Sequence, residues 1–299
     1  MKYFKVNRMV KEVHVKTILN KHKKRDDWFL DDYSINPYKL CQFNCVYCYI
    51  RGSKYGENMG KELAVKINAP KLLRKALERR ARKKEYGIIA IATATEAWQP
   101  IEEKYEITRK CLQIIEQYRF PVHISTKSKL VTRDIDILKE INKKAILPQD
   151  LRGKLEHGVL ITLSISTLDE KVSKIFEPGA PTPRERLETL QKIKEEGFKT
   201  GLAYIPILPY ISDTEHQLEE MIRTAKEYNA DYVFIGALTL YGAGKTLYYK
   251  ILEKHYPELL PKYEKLFKGS FQPEKSYQNH LYKTAKTLTK KYKIRDRIY

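Results

Sequence analysis

Cysteine is scarce in this chain. Its 299 residues include only four, too few for a disulfide scaffold of this size, which argues for a reducing compartment, the cytosol. Long apolar runs are also missing. Stretches such as "YGIIAIATA" and "GVLITLSI" have the length of strands and fall short of the ~20 residues a membrane helix needs, so no membrane partner is expected. The opening "MKYFKVNRMVKEVHVK" is charged throughout, which argues against a signal peptide. No internal repeat or low-complexity linker interrupts the sequence. Acidic residues are in deficit: 37 Asp and Glu face 57 Lys and Arg, a formal charge of +20. Ion-pair networks suited to high temperature explain many charges but not an imbalance of that size. A basic surface attracts polyanions and acidic proteins, and salt weakens that attraction.

The sequence does carry a regular alternation. Short β-branched runs at 33–37, 87–93, 121–126, 158–166, 198–206 and 231–237 alternate with amphipathic stretches near 69–85, 101–118, 132–143, 182–196 and 214–228. "NAP", "PTPRERL" and "EEGF" punctuate helix ends, and Asp213 reads as an N-cap. Continuous apolar strands between helices predict an α/β fold, its parallel sheet covered on the outer face. Alternation alone does not separate a doubly wound sheet from a barrel, and six strands are too few to close an eight-fold one. In both arrangements ligands gather at the C-terminal ends of the strands. The chain divides into a basic lead-in (1–30), a βα core (31–240) and a Tyr- and Lys-rich helical extension (241–299) expected to pack on that core.

Three of the four cysteines crowd into "NPYKLCQFNCVYCYIRG", directly after the first strand candidate. Cys41, Cys45 and Cys48 have the spacing CX3CX2C. Thiolates this close share one centre when something cationic neutralises them. Structural zinc takes four protein ligands, commonly in paired spacings, and the other donors here, Cys111 and scattered histidines, are not paired at ligand spacing. A four-iron cluster held by three thiolates keeps one iron corner for another ligand. A closed zinc site with a distant fourth ligand is the competing reading.

The CX3CX2C loop, with Tyr47 and Tyr49 flanking Cys48, resembles radical S-adenosylmethionine (SAM) enzymes. Five blocks in order resemble the spore photoproduct lyase-like branch of that superfamily: "YSINPYKLCQFNCVYCYIRG", "TATEAWQPIEEKYEITRKCL", "ISTKSKLVTRDIDIL", "SIST…FEPGAPTPRERLETL" and "PILPYISD". The resemblance implies a partial (β/α)6 barrel of TIM type over 31–240, with the helical extension after it. It implies a [4Fe-4S] cluster on Cys41, Cys45 and Cys48, with SAM on the fourth iron. Reductive cleavage of SAM would give a 5′-deoxyadenosyl radical, and the protein's part is to position and shield it. By the same resemblance Tyr47 and Tyr49 line the SAM pocket, Tyr49 facing the cofactor. Glu96, with Thr95 beside it, sits at a strand end where a carboxylate can receive the SAM ammonium group. Lys127 in "ISTKS", helped by Ser125, is expected at the SAM carboxylate, and Ser164 at SAM itself. Ser166 is expected on the same side as Ser164 by the two-residue period. Arg184 and Arg186 are in range of an anionic group, against their usual role as helix-surface charge.

The lyase's hydrogen-donor cysteine has no counterpart in "IATATEAW", so its reaction on spore DNA is not expected. Cys111 shares a helix face with Ile107 and Ile114 and is expected in the core. "TLYGAGKT" has Thr239 where a P-loop needs its first glycine, and Gly242 and Gly244 are expected in the turn leaving the sixth strand. The basic stretches "KLLRKALERRARKK" and "KTAKTLTKKYKIRDR" suit a phosphate backbone, with tyrosines nearby to stack on bases. Three functions compete. The first is a radical SAM enzyme acting on nucleic acid, in repair or modification. The second applies the same chemistry to a small molecule, peptide or protein, its basic surface receiving an acidic electron donor such as a ferredoxin or flavodoxin. The third is a non-catalytic, zinc-stabilised nucleic-acid-binding module.

Overall fold

The apolar runs become the central sheet of the structure, a computed structural model that describes residues 9–53, 55–56, 59 and 61–299. The first eight residues of the lead-in lie outside the described ones. Within the rest of the lead-in, β1 (Met9–Val13) and β2 (Asn20–Lys21) are short strands. The expected strand at 33–37 ends early: β3 (Tyr33–Ile35) stops before Pro37, and β4 (Tyr38–Lys39) joins another sheet. There β4 pairs with β5 (Glu62–Lys66), which also pairs with β1, a small sheet the sequence pattern did not announce. The remaining strands are β6 (Ile89–Ile91), β7 (Val122–Thr126), β8 (Val159–Ser164), β9 (Lys199–Ile207) and β10 (Tyr232–Ala237).

The main sheet runs β10-β9-β8-β7-β6-β3-β2. Its six strands from β3 to β10 are parallel, and β2 adds an antiparallel edge. Among the described residues β10 makes no ladder with β3 or β2, so the barrel is partial. β3, β6 and β8 are buried along their whole length, which is why they read as continuous apolar runs rather than alternating ones. One side of each strand, with residues such as Ile35, Ile89, Ile124 and Ile161, packs outward on the helices. The other side, with Leu160, Ala203 and Phe234, packs inward on Leu30, Leu151 and Leu155.

The helices follow the expected stretches with informative differences. α1 (Ala69–Arg82) matches its pattern. The stretch at 101–118 divides into α2 (Glu102–Tyr105) and α3 (Ile107–Tyr118), because Glu106 takes a left-handed conformation with φ of 51°. α4 (Ile135–Lys144) is preceded by a 3-10 turn, and α5 (Glu170–Phe176) is an additional short helix capped by Asp169. α6 (Pro183–Glu195) and α7 (Glu215–Glu227) open with capping boxes on Thr182 and Thr214. The N-cap of α7 is thus Thr214 and not Asp213. A Thr followed three residues later by Gln217 satisfies two orphan amides reciprocally, and Asp213 instead accepts from Tyr277 Oη at 2.8 Å.

The C-terminal part holds α8 (Gly242–His255), α9 (Leu260–Leu266) and α10 (Lys275–Lys291). α10 lies against α7 and β10, placing Leu281, Ala285 and Leu288 in the same core as the barrel strands. Gly242 and Gly244 open α8 rather than forming a separate turn. No helix among the described residues is long and apolar enough to cross a membrane.

Candidate active site

The loop after β4 is shaped by backbone first. Leu40 and Asn44 take positive φ, 69° and 54°, which turns the chain tightly on either side of Cys41. Neighbouring segments then clamp it. Val46 N donates to Phe176 O at 2.7 Å, and Gly179 N to Phe43 O at 3.0 Å. Gln42 N donates to Gln99 Oε1 at 2.8 Å, and Arg51 donates to the carbonyls of Cys45 and Asn44 at 2.8 and 3.0 Å. The approach of residues 176–180 requires glycine, since a Cβ on Gly179 would sit 2.5 Å from Gln42 O. α8 covers the other side, where a Cβ on Gly244 would meet the Arg51 side chain at 3.2 Å.

This loop faces a cavity of about 440 Å³ at the C-terminal ends of the strands. Cys41, Cys45 and Cys48 all line it, none of them in a disulfide. Burial, then the Glu96 carboxylate, pushes the Cys41 thiol up to about 11. Burial also raises Cys45 and Cys48, and the Lys127 ammonium draws both partly back. Three thiols that ionise so reluctantly need a strong cationic acceptor to become thiolate ligands. Among the described residues no three His, Cys, Asp or Glu side chains converge on one point as a single ion would require. A four-iron cube takes one thiolate at each of three separate corners, so the donor set fits that group. Cys111 is fully buried in the helix–sheet core with Ile107 and Ile114 and does not line the cavity.

Most of the other expected residues converge on the same space. Tyr47, Tyr49, Thr95, Glu96, Ser125, Lys127 and Ser164 all line it. Tyr49 donates to Thr93 O at 2.6 Å and Thr95 to Tyr38 O at 3.3 Å. The Glu96 carboxylate accepts from Thr126 Oγ1 (2.6 Å), Lys127 N (3.0 Å) and Trp98 N (3.1 Å), so it also pins the end of β7. Lys127 Nζ donates to Ser164 Oγ at 2.8 Å, lies 4.0 Å from Glu177 and 5.9 Å from the Tyr47 ring. Ser166 departs from expectation. β8 ends at Ser164, the two-residue alternation stops there, and Ser166 is not among the lining residues. Its hydroxyl is buried with no hydrogen-bond partner among the described residues.

Behind the thiols lies a buried charged network that sequence reasoning missed. Glu177 accepts from the Tyr47 hydroxyl, from Ser173 Oγ at 3.2 Å and from Arg186 Nη2 at 2.5 Å. Arg186 also donates to the carbonyls of Pro181 (2.8 Å) and Ser164 (3.0 Å). Burial alone would raise the Glu177 carboxyl, but Arg186 and Lys127 hold it at about 2. Arg184 is exposed and pairs with Glu188, whereas Arg186 is wholly buried, so neither reaches an open anion site. Charged residues inside "FEPGAPTPRER" were the available signal. The cavity wall also includes Trp28 and Phe29 from the lead-in, announced only by an aromatic pair in "DDWFLDD". Trp28 stacks on Phe234 at 5.8 Å.

Exposed aromatic side chains pack beside the cysteine loop. Leu238 and Thr239 line the cavity, and the chain then runs to Tyr241, which packs over Gly52 and meets Phe271 edge-on at 6.4 Å. Tyr49, Tyr241 and Phe271 are each more than half exposed.

A family model described as the Radical SAM superfamily matches residues 35–225. An uncharacterized protein of Methanocaldococcus jannaschii is 30% identical over 229 residues, 76% of this chain and 77% of that protein. A spore photoproduct lyase variant with bound SAM and dinucleoside spore photoproduct superposes with a TM-score of 0.67 at 16% identity, covering 95% of this chain and 78% of that one. Streptococcus suis SuiB bound to the precursor peptide SuiA gives 0.54 at 15% identity, covering 89% and 47%. The two structural likenesses speak to fold.

Proposed function

Given that the chain belongs to the radical SAM superfamily, whose members use a [4Fe-4S] cluster and SAM, we propose that it acts on a nucleic acid, in repair or modification. When bound, the cluster and SAM supply a 5′-deoxyadenosyl radical by one-electron cleavage. Cys41, Cys45 and Cys48 would hold the cluster. Lys127, steadied by Ser164 and Glu177, presents its ammonium group to the SAM carboxylate, and Glu96 with Thr95 offers oxygens to the SAM ammonium. Tyr47, anchored on Glu177, and Tyr49 would flank the cofactor. Trp28 and Phe29 add apolar wall to the same cavity and would help keep water from the bound group.

The observation that carries the nucleic-acid reading is the pair of exposed aromatics, Tyr241 and Phe271, beside the cysteine loop. Tyr241 and Phe271 offer faces on which an unpaired base can stack, and an extruded base would then enter the cavity. The charge of +20 supports the same reading by attracting phosphate backbones. The lyase resemblance does not extend to outcome: the cysteines lining the cavity are the three of the loop, so no separate hydrogen-donor thiol stands in it. An acidic one-electron donor of the ferredoxin or flavodoxin kind is the protein partner that the basic surface suits.

Anaerobic reconstitution with iron, sulfide, SAM and a reductant tests the reading, with 5′-deoxyadenosine as the product measured. Single-stranded DNA or RNA should raise that product. Cys45→Ala should abolish it together with bound iron. Tyr241→Ala with Phe271→Ala should remove the stimulation but leave the basal rate. Absence of stimulation by either nucleic acid would overturn the substrate class and leave the radical chemistry standing.

A further inference from the structure

A second concavity lies at the opposite end of the barrel. It has a volume of about 360 Å³ and is lined by Lys286, Lys290, Arg295, Arg297, Asp296 and Tyr299 among others. Arg295 sits beside the start of β10, with Val233 N donating to Arg295 O at 2.8 Å. The other end of β10, Ala237, lines the thiol cavity. Five steps of strand at about 3.3 Å each separate the two by roughly 17 Å.

The charges here are out of balance. Asp296 is the carboxylate in the lining, and it is engaged by Arg297 Nε at 3.2 Å. Among the described residues Lys286, Lys290 and Arg295 form no ion pair, unlike the many cations of the helices that do. The C-terminal end of α10 contributes roughly half a negative charge. Counting side chains and the helix end alone, four cations against Asp296 and that half charge leave an excess of roughly +2.5 in one cleft. Two more cations press on it. Lys154 Nζ lies 5.9 Å from the Tyr299 ring, and half-buried Lys199 has its ammonium destabilised by burial and then by Arg295, with Asp231 and Glu156 partly opposing. Like charges gathered this way repel, and an anion in the cleft relieves them. Forked guanidinium groups beside lysines match tetrahedral phosphate oxygens.

We propose that this cleft binds a phosphate-rich anion, through Lys286, Lys290, Arg295 and Arg297. Two sources supply that chemistry, a free polyphosphate group and a nucleic-acid backbone. The inference does not rest on the radical reaction, and its test uses reconstituted full-length protein without SAM. Inorganic tripolyphosphate is titrated by calorimetry, and a fluorescein-labelled oligothymidylate by anisotropy between about 50 and 200 mM salt. Lys290→Gln/Arg295→Gln is compared with Lys75→Gln/Arg79→Gln, which removes two exposed cations from α1. The cleft variant should lose tripolyphosphate affinity by about tenfold or more while the α1 variant retains it. If the backbone is the natural ligand, the cleft variant should also lower the oligonucleotide salt slope by about 1.4, two contacts at 0.7 each. An unchanged slope with lost tripolyphosphate binding assigns the cleft to free phosphate compounds. Lys286→Gln/Arg297→Gln repeats the measurement should the first variant fold poorly. Tripolyphosphate and oligonucleotide binding that the cleft variants leave intact, or that the α1 variant weakens equally, would sink the proposal.

Discussion

Removing the charge of Glu177 should be among the costliest single changes in this protein. Glu177 and Arg186 are both fully buried and joined at 2.5 Å, and the same carboxylate accepts from Tyr47 and Ser173. In Glu177→Gln the Arg186 guanidinium keeps its two carbonyl partners but loses its counter-charge in the interior. Breaking a buried pair from one side costs about 3–5 kcal/mol. A separate route gives a similar figure. The carboxyl is held at about 2 against an ordinary 4.5, and at about 1.4 kcal/mol per unit that shift amounts to about 3 kcal/mol. Because the folded value lies below the unfolded one, this stabilisation is complete above about pH 4.5 and is lost as pH falls toward 2. Urea unfolding at neutral pH of the wild type, Glu177→Gln, Arg186→Met and the double variant measures it. Each single variant should lose about 3–5 kcal/mol, and the double far less than the sum, a coupling of at least about 2 kcal/mol. Arg184→Met, on the exposed neighbour, should stay within about 0.5 kcal/mol of wild type. If Glu177→Gln costs under about 1 kcal/mol, or the two losses simply add, the pair is not the buried anchor described and the argument for a fixed Lys127 fails with it.

Three further outcomes are expected. Lys127→Met should weaken SAM binding by about 1.5–3 kcal/mol, roughly ten- to hundredfold, measured by equilibrium dialysis on iron-loaded protein; unchanged affinity would remove Lys127 from the SAM site. Gly179→Ala forces a Cβ to 2.5 Å from Gln42 O, so iron bound per chain should fall while circular dichroism keeps its helical signal. Full iron loading would show that the loop yields easily. His123 is held neutral by burial, down to about 4 from 6.5. The unfolded chain therefore binds the extra proton in that window, and wild-type stability should rise with pH from about 4 to 6.5 by up to about 1.4 kcal/mol per unit. His123→Gln should flatten that dependence, and an equal slope in both proteins would contradict it.

The parts of this protein legible in its sequence are those where one local rule suffices. Apolar runs such as "GVLITLSI" read as buried strands, a strand end marked Glu96 with Thr95, and the family resemblance marked Ser125 and Lys127; all four line the cavity. The spacing of Cys41, Cys45 and Cys48 pointed to one shared centre, and the family resemblance said which. What escaped depended on contacts far apart in sequence. Glu177 reaches Tyr47 across 130 residues, and nothing local distinguishes it from a solvated glutamate. Arg186 looked like helix-surface charge because its neighbour Arg184 is so. Ser166 failed for the opposite reason: a sound local rule was carried two residues past the end of its strand. The small sheet of β1, β4 and β5 was hidden because its strands are short and partly exposed, and their partners come from three separate places.

The clamps on the cysteine loop have a consequence for the life of the protein in the presence of oxygen. Hydrogen bonds with the backbone of Phe176 and Gly179 and with the Arg51 guanidinium shape that loop using the chain's own atoms, so its geometry is not borrowed from the inorganic group, as in a zinc finger. Oxidative stripping of the metal should then leave a folded, empty cradle that an assembly system can refill, and damage becomes a matter of repair rather than resynthesis.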